Sequence, residues 1–281
     1  MIDRRAVLAG LAMLPAIGAA PAGAGTALAA LRARLGPGAR LGVAASGGIA
    51  LDAHSRYAMA STFKLALAAA MLAGAERRRW QLTDEIAFGQ ADLLDYAPVV
   101  RANIALGHLP IETLCAAIVE VSDNSAANLL LRRLGGPAAL TAFIRGCGDR
   151  VTRLDRTEVE LNTNLPGDPR DTTTPAAMLG LMRTLLFGDG LSASARGRLA
   201  SWMTNGTRGL ARLRAGFPAG WRVGDKTGNG ANGAANDIAF AIPPGRPPIL
   251  IACYMSGGDA PLAVRDEVHA AIGRLVAASF A

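Results

Sequence analysis

The apolar positions along the chain fall into three regimes. Near the start, an Ala/Leu stretch from Thr26 to Leu35 predicts a helix that ends at Gly36-Pro37-Gly38. Arg40 to Ala45 and Ile49 to Ala53 then read as strands joined by a Ser46-Gly47-Gly48 turn. The middle of the chain is helical in pattern, with predicted helices over Thr62–Glu76, Glu112–Val121, Ser125–Leu134 and Pro137–Cys147. Arg153 to Asp171 has no usable period and holds Pro166, Gly167 and Pro169, so it reads as a long polar loop. Loops of that length usually carry function. Thr174-Pro175 supplies an N-cap and a first-turn proline for a helix through Ala176–Leu186, and Ala193–Met203 follows. The last regime is strand-like over Trp221–Asp225, Asp237–Ile242 and Ile249–Ser256, and closes with an amphipathic helix from Pro261 to Phe280.

Strands at both ends around a helical middle predict an α/β chain of the α+β type. An antiparallel sheet built from both chain ends packs with helices, and an all-helical lobe stands beside it. The expected division is residues 25–60 and 206–281 in the sheet lobe and residues 61–205 in the helical lobe, including the loop 153–171. A cleft between the two lobes is the natural place for a site.

Composition narrows this picture. The chain has 281 residues, 51% hydrophobic and 18% charged, which fits a folded protein with a sizeable core. The net charge is +7, but the basic residues are scattered and the longest run is only Arg77 to Arg79. A nucleic-acid surface would cluster them, so no nucleic-acid partner is expected. Asp3, Arg4 and Arg5 precede an apolar run from Ala6 to Ala20, and Ala22-Gly23-Ala24 fits a small-x-small cleavage site. Residues 1–24 therefore read as an export signal. It resembles a twin-arginine signal, and an ordinary secretory signal or a retained anchor fits the same residues. The mature protein is expected in the periplasm or outside the cell, off the membrane, as a monomer. Cys115, Cys147 and Cys253 cannot all pair within one chain and are expected as free thiols. His54, His108 and His269 have no ligand spacing, so neither a metal nor a cofactor is expected.

The basic residues themselves point to chemistry. Of the 29, only Lys64 and Lys226 are lysines. A desolvated lysine can give up its proton and arginine effectively cannot. Lys64 lies three residues after Ser61, and positions three apart share a helix face. Ser61 at the start of a helix, beside an amine able to share its proton, has the setting of a nucleophile. Lys226-Thr227-Gly228 offers a charge and a hydroxyl for a carboxylate, with a glycine that admits close approach. Ser122-Asp123-Asn124 lies between two predicted helices, where all three types also serve as caps. Each motif alone is weak.

Together, Ser-x-x-Lys, Ser-Asp-Asn and Lys-Thr-Gly in this order resemble the class A serine β-lactamases and the penicillin-binding proteins. The resemblance runs from about Arg40 to the C-terminus. Arg156-Thr157-Glu158-Val159-Glu160-Leu161-Asn162 is similar to the omega-loop segment of class A, which favours the β-lactamases. It implies hydrolysis of penicillins and cephalosporins through an acyl-serine intermediate, with small-molecule β-lactams as the substrates. The implied catalytic residues are Ser61, Lys64, Ser122 and Glu158. The implied substrate contacts are Asn124, Asn162, Lys226, Thr227, Gly228 and Asn229, with Tyr96 at the cleft edge and Arg212 assisting a carboxylate. A core tyrosine and a surface arginine are the plain alternatives for those last two. Glu158 and Asn162 are four apart and can grip one water. The backbone N–H groups of Ser61 and Asn229 would form the oxyanion hole. The acylation base is Lys64, or Glu158 through water. An arginine and an aspartate, here Arg156 and Asp171, pin the loop in the family. A cis bond often precedes the residue at Val159. A D,D-peptidase or a non-catalytic penicillin sensor would share the first three motifs.

Overall fold

A computed structural model describes residues 22–280; the expected signal segment lies outside the described residues except for its last three positions. Helix α1 (Ala24–Ala33) leads into β1 (Arg40–Ala45), which turns through Ser46–Gly48 into β2 (Ala50–Leu51). A short β3 (Tyr57–Ala58) precedes α2 (Phe63–Glu76), followed by β4 (Glu85–Ala87), α3 (Pro98–Ala102) and β5 (His108–Pro110). Next come α4 (Ile111–Glu120), α5 (Asn124–Leu134) and α6 (Pro137–Gly146). Past the long loop lie β6 (Thr172–Thr173), α7 (Pro175–Leu186) and α8 (Ala193–Asn205). The chain ends with β7 (Arg222–Asn229), β8 (Ala235–Ile242), β9 (Ile249–Ser256) and α9 (Leu262–Ala278).

The main sheet runs β2-β1-β9-β8-β7, antiparallel throughout, so both chain ends contribute as expected. Strands β1, β9, β8 and β7 are largely buried on both faces, and the two-residue period sorts their side chains. Leu250, Ala252 and Tyr254 join Ile238 and Phe240 in the core shared with α2, α4, α5 and α7. Ile249, Ile251, Cys253 and Met255 face the other way, against Leu28 of α1 and Val268, Ile272 and Val276 of α9. Helix α2 is buried on every side from Phe63 to Gly74, as a helix that is apolar all round must be. Gly74 is obligatory there, because a Cβ would stand 1.9 Å from the Trp80 ring. All three cysteines are free, as expected. No helix among the described residues is long and apolar enough to cross a membrane.

Two expectations need correction, and two pairings went unread. The strand read as Trp221–Asp225 continues to Asn229, so Lys226, Thr227 and Gly228 lie within β7 and not beyond its end. They pair with Ile238, Asp237 and Asn236 of β8. Their polarity hid the strand, since an edge strand that faces a cleft keeps no hydrophobic alternation. The strand read as Ile49–Ala53 shrinks to Ala50–Leu51. The pairing of β3 with β6 and of β4 with β5 was not legible, because two- and three-residue strands are too short to show a period.

Gly180 sits inside α7, and a Cβ there meets nothing within 4 Å. A glycine in a helix interior costs about 0.5–1 kcal/mol relative to alanine. Gly180→Ala is therefore expected to raise the melting temperature by about 1–4 °C in a calorimetric scan.

Candidate active site

The turn Ala60–Thr62 delivers Ser61 to the head of α2. Ala60 holds a left-handed φ of 43°, a costly conformation that the surroundings must enforce. They do so from two sides. Met59 N–H donates to Asp171 O at 2.9 Å, and Asn236 Nδ2 donates to Ala58 O at 2.9 Å and Met59 O at 3.1 Å. Strand β7 passes so close that a Cβ on Gly228 would meet Met59 O at 2.8 Å and Ser61 N at 3.1 Å. Glycine is needed at that crossing for space.

Both lysines are buried at the same spot, with Lys64 at 0% exposure and Lys226 at 1%. Lys64 Nζ has Glu158 Oε1 at 2.9 Å, Ser122 O at 2.9 Å, Ser122 Oγ at 3.3 Å and Asn124 Oδ1 at 2.6 Å. Lys226 Nζ donates to Ser122 Oγ at 3.0 Å and to Thr227 O at 2.9 Å. Ser122 Oγ thus stands between two amines. Burial pushes the Lys64 amine below its ordinary value, and the Glu158 carboxylate opposes that shift. Lys226 is pushed well below, first by burial and then by the charge of Lys64. Asp123, between the two site residues, is the α5 cap: its carboxylate accepts from Ala126 N, and also from Val99 N and Val100 N of α3. In Ser122-Asp123-Asn124 the capping reading and the site reading both apply, to different residues.

Glu158 reaches the serine from the long loop. Its Oε1 lies 3.5 Å from Ser61 Oγ, and its Oε2 accepts from Asn162 Nδ2 at 2.6 Å. Asn162 Oδ1 is buried and has no hydrogen-bond partner among the described residues. The Glu158–Val159 peptide is cis. Asn128, which sequence reasoning missed, clamps this backbone: its Nδ2 donates to Glu158 O and its Oδ1 accepts from Glu158 N, both at 2.9 Å. The available signal was its place one helical turn beyond Asn124, on the same face of α5.

The loop closes on Asp171, which is fully buried and accepts from Asp155 N, Arg156 N and Arg156 Nε at 2.7, 2.9 and 2.6 Å. This is the expected Arg156–Asp171 pair, buried on the carboxylate side. Removing one partner of such a pair strands the other. Asp171→Ala should cost about 3 kcal/mol in urea unfolding, and it should lower turnover through the loop that carries Glu158.

Ser61, Tyr96, Ser122, Asn124, Asn162, Thr227, Gly228 and Asn229 line one cleft of about 170 Å³. Other cavities are larger, such as one of about 640 Å³ between α2 and α6, but that one holds no comparable set of reactive groups. Tyr96 is 38% exposed at the cleft, with its hydroxyl donating to Val121 O, so it is not a core tyrosine. Arg208 also lines the cleft, with its guanidinium 5.1 Å from the centroid of the Tyr96 ring; no motif marked it. Arg212 fits neither sequence reading directly. It is 3% exposed, behind β7, bound to Asp266 Oδ1 at 2.7 Å and Asn236 O at 2.7 Å. Toward the cleft, its Nη2 donates to Asn229 Oδ1 at 2.6 Å and its Nη1 to Gly228 O at 3.4 Å.

Residues 43–280 match the model of the β-lactamase enzyme family. The chain is 42% identical to β-lactamase CTX-M-8 of Citrobacter amalonaticus, over 80% of this chain and 77% of that protein. It is 47% identical to β-lactamase AST-1 of Nocardia asteroides, over 76% and 71%. Among solved structures it is similar to an ancestral (GNCA) class A β-lactamase, with a TM-score of 0.88 at 50% identity, covering 92% of this chain and 100% of that one. A β-lactamase from Xanthomonas campestris superposes with a TM-score of 0.87 at 40% identity, over 91% and 97%.

Proposed function

Because this chain belongs to the β-lactamase enzyme family, as a serine enzyme of class A that hydrolyses the β-lactam amide bond and so confers antibiotic resistance, we propose the following division of labour in its cleft. Lys226 and Thr227 hold the substrate carboxylate. Arg212 acts on it from behind β7, through Asn229. Asn124 receives the acylamide side chain, and Tyr96 forms the wall beside it. The lactam oxygen sits between the N–H groups of Ser61 and Asn229, whose donors stabilise the charge that develops on it.

Ser61 Oγ attacks the lactam carbonyl carbon. Its proton passes to the Lys64–Glu158 pair, whose charged atoms are 2.9 Å apart. The C–N bond breaks, and Ser122 hands a proton to the leaving nitrogen, itself resupplied from the adjacent amines. Glu158 then draws a proton from a water held with Asn162, and the resulting hydroxide cleaves the Ser61 ester. The free acceptor on Asn162 Oδ1 suits that water.

One observation carries this reading. A single buried carboxylate touches the nucleophile with one oxygen and the water-positioning amide with the other. A D,D-peptidase or a penicillin sensor has no use for that arrangement. Many turnovers of a chromogenic cephalosporin per enzyme are expected; a stoichiometric adduct with no turnover would contradict the assignment. We also place the mature chain in the periplasm or outside the cell, as a monomer. The charged, then apolar, then small-residue order of positions 3–24 supports export, and every side chain in the cycle comes from one chain.

A further inference from the structure

A second pocket, of about 320 Å³, lies between the β1–β2 hairpin and α7 and shares no residue with the Ser61 cleft. Its walls are apolar, from Ala45 and Ile49 on the hairpin side to Ala176 and Leu179 on α7. Among the described residues, the only charged or titratable side chains lining it are Arg183 and His54, and no carboxylate does. Arg183 Nε is buried, and no acceptor pairs with it among the described residues. Buried donors are nearly always paired, so an unpaired guanidinium N–H on a residue that lines an apolar pocket calls for a partner.

We propose that this pocket is a ligand site for a small amphipathic carboxylate. The carboxylate takes the Arg183 fork with two parallel hydrogen bonds, one to Nε and one to a terminal nitrogen, after a small swing of the side chain. The apolar tail lies between the hairpin and α7. A pocket of this size suits a tail of roughly six to ten carbon atoms. With one arginine and no acid at the wall, a monoanion matches the charge; a neutral molecule leaves Nε unpaired, and a polyanion carries charge that nothing in the wall balances.

The test uses the mature, isotope-labelled protein and octanoate as the probe. The Arg183 Nε–Hε resonance and the amides of Ala50 and Ala176 should shift saturably, and octanol should bind at least tenfold more weakly. Arg183→Gln should abolish the shifts. Gly180→Leu should also block them, by placing a side chain in space that is open next to α7. Both variants should hydrolyse a chromogenic cephalosporin like the parent, which separates this site from the catalytic reading and shows that the variants are folded. Three results would overturn the proposal: no saturable shift at Arg183, shifts confined to the cleft around Ser61 and Lys226, or equal binding of octanol and octanoate.

Discussion

Glu158→Gln is expected to open β-lactams and then hold them. Glutamine keeps the length and shape of the side chain and its neighbourhood to Asn162, but it cannot accept a proton from water. Deacylation should therefore fall by about 10²–10⁴-fold, the usual contribution of a positioned general base. Acylation has another route for the serine proton, because without the carboxylate that favours its charged form the buried Lys64 amine is more often neutral and free to take that proton. Mixing with benzylpenicillin should give one rapid burst of ring opening per enzyme, followed by near-silence. Intact mass spectra should then show one adduct per chain that lasts far longer than in the parent. Steady turnover at the parental rate would remove Glu158 from the hydrolytic step.

Lys64→Arg is expected to fail one step earlier. The site leaves no room for a larger cation: the amine is fully buried, with Glu158, Ser122 and Asn124 all within about 3.3 Å. Arginine also keeps its proton under all working conditions, whereas burial has already pushed Lys64 toward releasing one. The variant keeps the charge and loses the ability to share a proton. Acylation should slow by about 10³-fold, within the range of general-base contributions. No burst and no lasting adduct should appear, because the slow step now precedes the covalent bond. The two variants thus have opposite signatures. A persistent adduct in Lys64→Arg would mean that the lysine serves deacylation instead.

Much of this architecture was legible because burial imposes a period. The strands Arg40–Ala45 and Ile249–Ser256 were read with their observed boundaries, since both alternate between two buried faces. The helix after Thr174-Pro175 was read from its cap, and Thr174 Oγ1 does accept from Ala177 N. The reading faltered where function displaces pattern. Strand β7 loses its apolar alternation where Thr227, Gly228 and Asn229 line the cleft, so its second half was not read as strand. Arg212 looked like a group that would meet substrate or solvent, because one sequence does not show that β7 would lie in front of it. Asn128 and Arg208 carry no motif; their roles arise from what folds against them. The grouping of Ser61, Lys64, Ser122, Glu158 and Lys226 was implied by the resemblance of their motifs to class A, while the distances among them came only from the fold.

The most direct test of the proposed cycle is peptide mapping of Glu158→Gln quenched during its reaction with benzylpenicillin. The expected result is one ring-opened penicillin per chain, attached within the peptide that contains Ser61 and absent from Ser61→Ala. An adduct mapped to another residue, or ring opening with no adduct at all, would contradict the account.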